Sequence, residues 1–348
     1  MTTEFLKLKN PPEEADLDGI RDAAARLRRG ALVVFPTETV YGLGANACDP
    51  AAAEKIYAAK GRPADNPLII HISSPEEAED YAVTSPLYYR LAEAFMPGPL
   101  TVILPVRASI PAAVTAGLPT VAVRCPAHPI ANALIRFAGI PIAAPSANLS
   151  GSPSPTSAAH VREDMEGRVD VILDGGDSDI GLESTIVCPN EDGSLTLLRP
   201  GAITVEDLLR ITPHVEVSKA VLGALLPGQT VLSPGMKYKH YAPKTPFFLL
   251  EGGPERAKAY LAAQKERFAI LTHSEDEPIL CGLENAVLIP IGSRDEPAVL
   301  AHRLFSLLRE CDKMGLSAIY AMAPAPDGLG MALYNRMIRA AAHRIITL

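Results

Sequence analysis

The stretch from Pro36 to Pro67, PTETVYGLGANACDPAAAEKIYAAKGRPADNP, constrains this chain more than any other. It sets hydroxyls, an amide and two cations around one short helix whose limits are written in the residues. Asp49 suits the N-cap, Pro50 the first helical position and Gly61 a left-handed C-cap. The helix formers of AAAEKIYAAK lie between them. Ala31 to Phe35, ALVVF, reads as a buried strand just before. A polar loop from Pro36 to Cys48 is expected between strand and helix, carrying Thr37, Glu38, Thr39, Tyr41 and Asn46. Lys60, Arg62 and Asn66 follow the helix. A polar loop with a cationic exit suits a small ligand that carries carboxylate or phosphate.

Gly42, Gly44 and Ala47 in that loop match the G-x-G-x-x-A dinucleotide fingerprint. The fingerprint needs its glycines directly after a strand, and here PTETVY intervenes. Glycines that merely turn the chain are the better reading.

The 348 residues suggest about two domains, and a hydrophobic fraction of 48% supplies a sizeable core. A net charge of −8 argues against a broad nucleic-acid surface while allowing a local basic pocket. The five cysteines are scattered without a C-x-x-C pair, which fits small apolar residues in a reducing compartment. The N-terminus lacks the apolar core of a signal peptide, and no run approaches the roughly 20 apolar residues of a membrane span. A cytoplasmic protein with no membrane partner is expected.

Along the chain, strands are expected at LIIHI (68–72), LTVILPV (100–106), TVAVR (120–124), IPIAAPSAN (140–148), VDVILD (169–174), STIVC (184–188) and LTLLR (195–199). Helices are expected at 17–27, after a capping box at Ser74 and Glu77, from Ser85 to about Met96, at 130–137 and at 204–211. Their irregular alternation predicts a mixed twisted α/β sheet over residues 1–211. The pattern weakens over 212–243, where LPGQTVLSPGMKYKHYAP reads as an ordered functional linker. From 244 to 348, FFLLE, FAILT, AVLIPI and SAIYAM alternate with helical segments, predicting a smaller Rossmann-like domain. With no phosphate loop, that domain is expected to support or gate rather than to do chemistry.

Polar groups collect at 37–66, His71, 120–124, 146–154 and 184–199, mostly at strand ends. Lys60, Arg62, Arg124 and Arg199 could share one pocket, and four cations suit a triphosphate. His71 sits within an apolar strand and reads equally as a core histidine or a ligand contact. Asp174, Asp177 and Asp179 lack calcium-loop spacing and read as a turn. Neither Ser146 nor Ser184 has the surroundings of a serine nucleophile. No protein-held metal site is expected.

PTETVYGLGAN, KGRPADNPLIIHI, PGPLT, TVAVRCPAHP, IAAPSANLSG, ESTIV and LLRPG together resemble the threonylcarbamoyl-AMP synthases, the YrdC-like enzymes. SPGMKYKHYAP followed by an α/β domain is similar to the two-domain form of that family. The resemblance covers nearly the whole chain and implies a nucleotidyltransferase. Its substrates would be L-threonine, bicarbonate or CO2, and ATP with Mg2+ held mainly by the phosphates. The products would be L-threonylcarbamoyl-AMP and pyrophosphate. A tRNA-modifying transferase complex would take the adenylate to threonylcarbamoyladenosine in tRNAs reading codons that begin with A. By the same resemblance, Thr39, His71, Arg124, Ala144 and Ser184 would hold threonine. Lys60, Arg62, Asn66, Thr120, Ser146, Asn148, Ser154, Arg199 and Tyr238 would hold ATP, with Lys60 and Arg62 offsetting phosphate charge in catalysis. Lys237 and His240 would join Tyr238 in a linker lid. Direct tRNA contact is left open by the sequence. An RNA-binding protein and a non-catalytic threonine or nucleotide sensor are the alternative classes.

Overall fold

The computed structural model describes residues 2–221, 223 and 240–348. They fall into two units, one of residues 2–150 and 154–223 less 222, the other of 151–153 and 240–348.

The first unit is built on an eleven-stranded mixed sheet. Its strands are β1 (Glu4–Lys7), β2 (Val33–Phe35), β3 (Gly42–Asn46), β4 (Ile69–His71), β5 (Leu100–Pro105), β6 (Thr120–Arg124), β7 (Ile142–Ala143), β8 (Val171–Asp174), β9 (Thr185–Pro189), β10 (Leu195–Arg199) and β11 (Val215–Val217). Their order is β1-β8-β2-β3-β7-β4-β6-β5-β9-β10-β11. β4 and β6 run parallel while β5 and β6 run antiparallel, so the expected mixed sheet is present. Helices Glu14–Arg28 and Pro129–Ala138 bury Ile20, Ala24, Leu27, Ile130, Leu134 and Ile135 with Val33, Phe35 and Val171 of the sheet.

The helix of the constraining stretch runs Pro50–Lys60, as its cap residues predict. Asp49 accepts from Ala51 N, and Gly61 is left-handed at φ 62°. The loop before it departs from expectation. Residues 42–46 form β3, antiparallel to β2, and Thr37, Thr39 and Tyr41 are buried rather than solvated. Bare backbone makes this possible. A Cβ on Gly44 would stand 2.8 Å from both Ile142 Cγ2 and Phe35 Cε1. These glycines lie in a strand, where they admit close sheet packing rather than turning the chain.

Several other local readings shift. Ser74 does not cap through its side chain; Glu77 reaches Ser73 instead, and only a 3-10 turn and the short helix Ala78–Tyr81 follow. The 140–148 strand shrinks to Ile142–Ala143; beyond it only an isolated bridge pairs Ser146 with Gly42, with Leu43 N on Pro145 O and Ala147 N on Tyr41 O. β11 falls in the stretch read as linker. The 174–179 loop is a turn, with Gly176 at φ 88° and its N–H on Asp174 Oδ1.

The second unit holds a five-stranded, wholly parallel sheet: β12 (Phe247–Glu251), β13 (Phe268–Thr272), β14 (Ala286–Pro290), β15 (Ala318–Met322) and β16 (Ile345–Thr347). The order is β14-β13-β15-β12-β16. Leu250, Leu261, Phe268, Ile270 and Tyr320 lie in its core. β16 and the helix Glu277–Leu280 escape sequence reading, being too short to carry a period.

Candidate active site

β4 and β6 set the frame. In their parallel register His71 stands beside Arg124, at the carboxyl ends of both strands. Both are buried, at 3% and 5% exposure. Burial, then the Arg124 charge, pushes the His71 imidazole down to about 3, against the pull of the Ile69 and Ile142 carbonyls. His71 is therefore neutral at ordinary pH. The Arg124 guanidinium donates through Nη2 to Glu38 Oε1 at 2.7 Å. Its Nε and the second Glu38 oxygen are buried without a protein partner. The conformation of the 36–41 segment brings Glu38 there. Thr37 Oγ1 donates to Val40 O and meets Thr39 Oγ1 at 2.8 Å, tying the turn into itself.

From Arg124 the polar chain runs across the sheet. Thr101 of β5 is opposite Arg124, and its hydroxyl is 2.8 Å from Ser184 Oγ. Arg199 donates from Nε to Ser184 O at 3.0 Å and from Nη2 to Ser184 Oγ at 3.1 Å. Ala144 N donates to Ile69 O, and because β7 is antiparallel to β4 the 144–148 segment runs toward the amino end of β4. Of the residues expected at threonine, His71, Arg124 and, through Thr101, Ser184 follow neighbouring strands, while Ala144 lies beside Ile69, toward the amino end of β4.

Lys60 leaves its helix C-terminus pointing inward. Its Nζ donates to Ser146 O at 2.5 Å and Asn148 O at 2.7 Å, with Asn148 Oδ1 at 3.3 Å. Ser146 Oγ donates to Asn148 Oδ1 at 2.5 Å. Burial, then the nearby Arg62 charge, holds the Lys60 ammonium well below the usual lysine range, while Asp164 and Glu183 pull it back. Glu183 also accepts from Ser154 Oγ at 2.5 Å. Arg62 donates to Asn66 O at 2.9 Å, and the Asn66 side chain is fully buried with neither amide atom bonded.

Strand ends alone do not describe the site. Thr120 opens β6 and Arg124 closes it, about 13 Å apart at the ordinary rise of about 3.3 Å per residue. Asn66 precedes β4 just as His71 ends it. The candidate nucleotide residues Arg62, Asn66 and Thr120 therefore gather at the amino ends, and His71 and Arg124 at the carboxyl ends. Such a span suits an extended ligand. His240 belongs to the second unit, its ring 5.6 Å from Tyr241. Lys237 and Tyr238 lie outside the described residues.

Sequence reasoning gave no role to Glu183, Asp164 or Thr101, and saw Glu38 only as part of a loop. His128 was also missed. It accepts from Ile130 N through Nδ1, so its buried Nε2 carries the proton and makes no hydrogen bond within the protein. Glu38 and Asp179 are close enough to act on it electrostatically. Glu38, Thr101, His128 and Glu183 lie inside the quoted motifs, whereas Asp164 lies outside all of them, on the helix Ala158–Met165.

Fold and site define a class: a two-unit α/β protein whose larger mixed sheet carries buried cations, hydroxyls and amides. Comparison with known proteins narrows it. A family profile described as telomere recombination, covering the Sua5, YciO and YrdC proteins, matches residues 25–201. Another, described as the threonylcarbamoyl-AMP synthase C-terminal domain, matches residues 203–342. The threonylcarbamoyl-AMP synthase of Pyrococcus abyssi is 44% identical over 337 residues, 94% of this chain and 95% of its own. That of Bacillus subtilis is 44% identical over 333 residues, 94% of each chain. The crystal structure of P. abyssi Sua5 complexed with L-threonine superposes with a TM-score of 0.88 at 41% identity, covering 99% of both chains. The chain belongs to the threonylcarbamoyl-AMP synthase family.

Proposed function

We propose that this protein is an L-threonylcarbamoyladenylate synthase, a nucleotidyltransferase. It joins L-threonine, bicarbonate or CO2, and ATP, and releases pyrophosphate. The observation that carries this reading is the set of buried polar atoms without a hydrogen-bond partner on two residues expected to meet substrate, the Asn66 amide and Arg124 Nε, and on Glu38, the ion-pair partner of Arg124, at Oε2. Each such group costs about 1–3 kcal/mol unless something satisfies it. A zwitterionic amino acid and a nucleotide supply the missing donors and acceptors.

In this reading Arg124 takes the threonine carboxylate, with Thr39, Ser184, neutral His71 and the Ala144 backbone around the rest of the molecule. The neutral amine attacks CO2, a C–N bond forms and the amine proton leaves to solvent. A carbamate oxygen then attacks the α-phosphorus of ATP as the bond to the β-phosphate breaks. Such transfer asks the protein for positioning and charge stabilisation, not for a nucleophile. Lys60 and Arg62 offset phosphate charge. Asn66, Thr120, Ser146, Asn148, Ser154 and Arg199 orient the nucleotide.

The surroundings of Lys60 are oxygen-rich, with Ser146, Asn148 and Glu183, and suit a hard cation that enters on the phosphates. Bound Mg2+ would supply further neutralisation of the pyrophosphate leaving group. Lys237, Tyr238 and His240 belong to the linker proposed to close over the nucleotide and exclude water from a hydrolysable anhydride. The proposed domains are 1–211 for catalysis, 212–243 for this lid and 244–348 for the Rossmann-like part. The product would pass to a tRNA-modifying transferase complex. Five free thiols and no helix among the described residues long and apolar enough to cross a membrane support a cytoplasmic setting.

The test is pyrophosphate release from ATP and Mg2+, with and without L-threonine and bicarbonate. Release that requires both is the expected result. ATP binding without threonine-dependent release would overturn the proposal.

A further inference from the structure

The second unit contains a cavity of about 800 Å³ that the synthase reading does not use. Its residues follow three strands of the parallel sheet: His273 after β13, Arg294 to Leu300 beyond β14, and Met322 to Leu333 from the end of β15. β13 and β15 are neighbours, yet their outgoing connections diverge. β13 leads to β14 on one side, and β15 leads through the helix Gly328–Ala340 to β16 on the other. Divergence beyond the carboxyl ends of parallel strands opens the crevice in which α/β folds bind ligands. The volume falls in the range of small-molecule pockets.

The lining decides what could enter. Leu300, Met322, Leu329 and Leu333 make apolar walls. His273 is only 8% exposed, and its Nδ1 is 3.2 Å from Gly292 O. A carbonyl only accepts, so Nδ1 is the protonated nitrogen and Nε2 is an acceptor, with no hydrogen bond to another side chain or backbone group among the described residues. Burial, and then the Arg294 charge, hold this imidazole below its usual range and so keep it neutral. Arg294 itself is matched by Asp276 and Glu275. Asp327 occupies the N-cap of the helix Gly328–Ala340 without capping it through its side chain, and Asp295 adds a second carboxylate.

The polar side chains of the lining are acceptors apart from the paired Arg294, and the backbone N–H groups that open the helix at Gly328, Leu329 and Gly330 add neutral donors for a ring nitrogen or a ribose oxygen. A phosphate or a free amino-acid carboxylate would meet Asp295 and Asp327 at a site whose arginine is already paired. A molecule with a flat apolar face, an amine and hydroxyl donors meets complementary groups. We propose that the crevice beyond β13 and β15, with His273 Nε2 and Asp327 as acceptors and Leu300, Met322 and Leu333 as walls, is a second ligand site for a purine nucleoside without phosphate. It is separate from the cleft assigned to ATP and threonine, and does not rest on that assignment.

The test uses the full chain labelled with 13C on its methionine methyl groups, with the Met322 signal assigned through Met322→Leu. Titration with adenosine is expected to shift Met322, inorganic phosphate to leave it in place, and AMP to bind more weakly than adenosine. His273→Phe is expected to weaken adenosine at least tenfold and Leu333→Trp to abolish the shift. Lys60→Ala is expected to leave it unchanged. An unmoved Met322 at millimolar adenosine overturns the proposal, as does a shift that survives both cavity variants. Adenosine binding that disappears with Lys60→Ala assigns the nucleoside to the other cleft and likewise overturns it. A phosphate-induced shift equal to that of adenosine identifies an anion site instead.

Discussion

Arg124 and Glu38 are buried together, with the guanidinium Nη2 2.7 Å from the carboxylate Oε1, although 85 residues lie between them in the chain. The pair is half complete on each side: Arg124 Nε and Glu38 Oε2 make no hydrogen bond within the protein. One partner neutralises the other, and each retains one buried polar atom that the pair itself does not satisfy.

Removing one member of a buried ion pair typically costs about 3–5 kcal/mol, because the other charge stays buried. Glu38→Ala is expected to lower thermal stability by that amount and to raise the threonine KM with a smaller effect on the ATP KM. Glu38→Gln, which keeps an oxygen acceptor, should retain much of both. Calorimetry and steady-state kinetics on the two variants check this. Equal effects on both KM values would exclude Glu38 as the residue that sets Arg124.

Arg124→Lys replaces a fork of donors by a point charge. Its threonine-dependent pyrophosphate release is expected to fall about tenfold to a hundredfold in kcat/KM, the scale of one or two charge-assisted hydrogen bonds at about 1.4 kcal/mol per tenfold. ATP affinity, measured directly, should change little.

Lys60→Ala removes the ammonium held between the Ser146 and Asn148 carbonyls. Pyrophosphate release is expected to fall about tenfold to a thousandfold, as for other lost charge-stabilising donors. Near wild-type release would exclude Lys60 from the phosphate site.

His71 titrates at about 3 in the folded protein, below the unfolded histidine value. The unfolded chain therefore binds the extra proton first as pH falls, and folding loses stability from about pH 6.5 downward. The loss approaches about 1.4 kcal/mol per pH unit from this residue alone and levels off near pH 3. Denaturant titrations at pH 7, 6, 5 and 4 should show that slope in the wild type and a shallower one in His71→Asn.

Gly44→Ala forces a methyl to within 2.8 Å of Ile142 and Phe35. Overpacking of this kind costs about 1–3 kcal/mol. A lowered urea midpoint with an unchanged slope is expected. An unchanged midpoint would mean that β2, β3 and β7 yield more readily than their packing implies.

Much of the fold was legible from residues that act locally. Asp49, Pro50 and Gly61 bounded their helix because capping and φ preference operate within a few residues. β5, β6, β9, β10 and β12 to β15 could be read from apolar runs of ordinary strand length. The long motifs also carried the family, whose profile matches residues 25–201. What the chain alone left undecided depended on contacts distant in sequence. Whether Gly42 and Gly44 turn the chain or pack it is set by Phe35 and Ile142. That Glu38 meets Arg124, Ser184 meets Arg199 and Glu183 meets Ser154 is set by strand order, as is the passage of the site from the amino to the carboxyl ends of β4 and β6. Local preference determines which backbone states a segment can adopt; only the packed sheet brings side chains tens of residues apart within hydrogen-bonding distance.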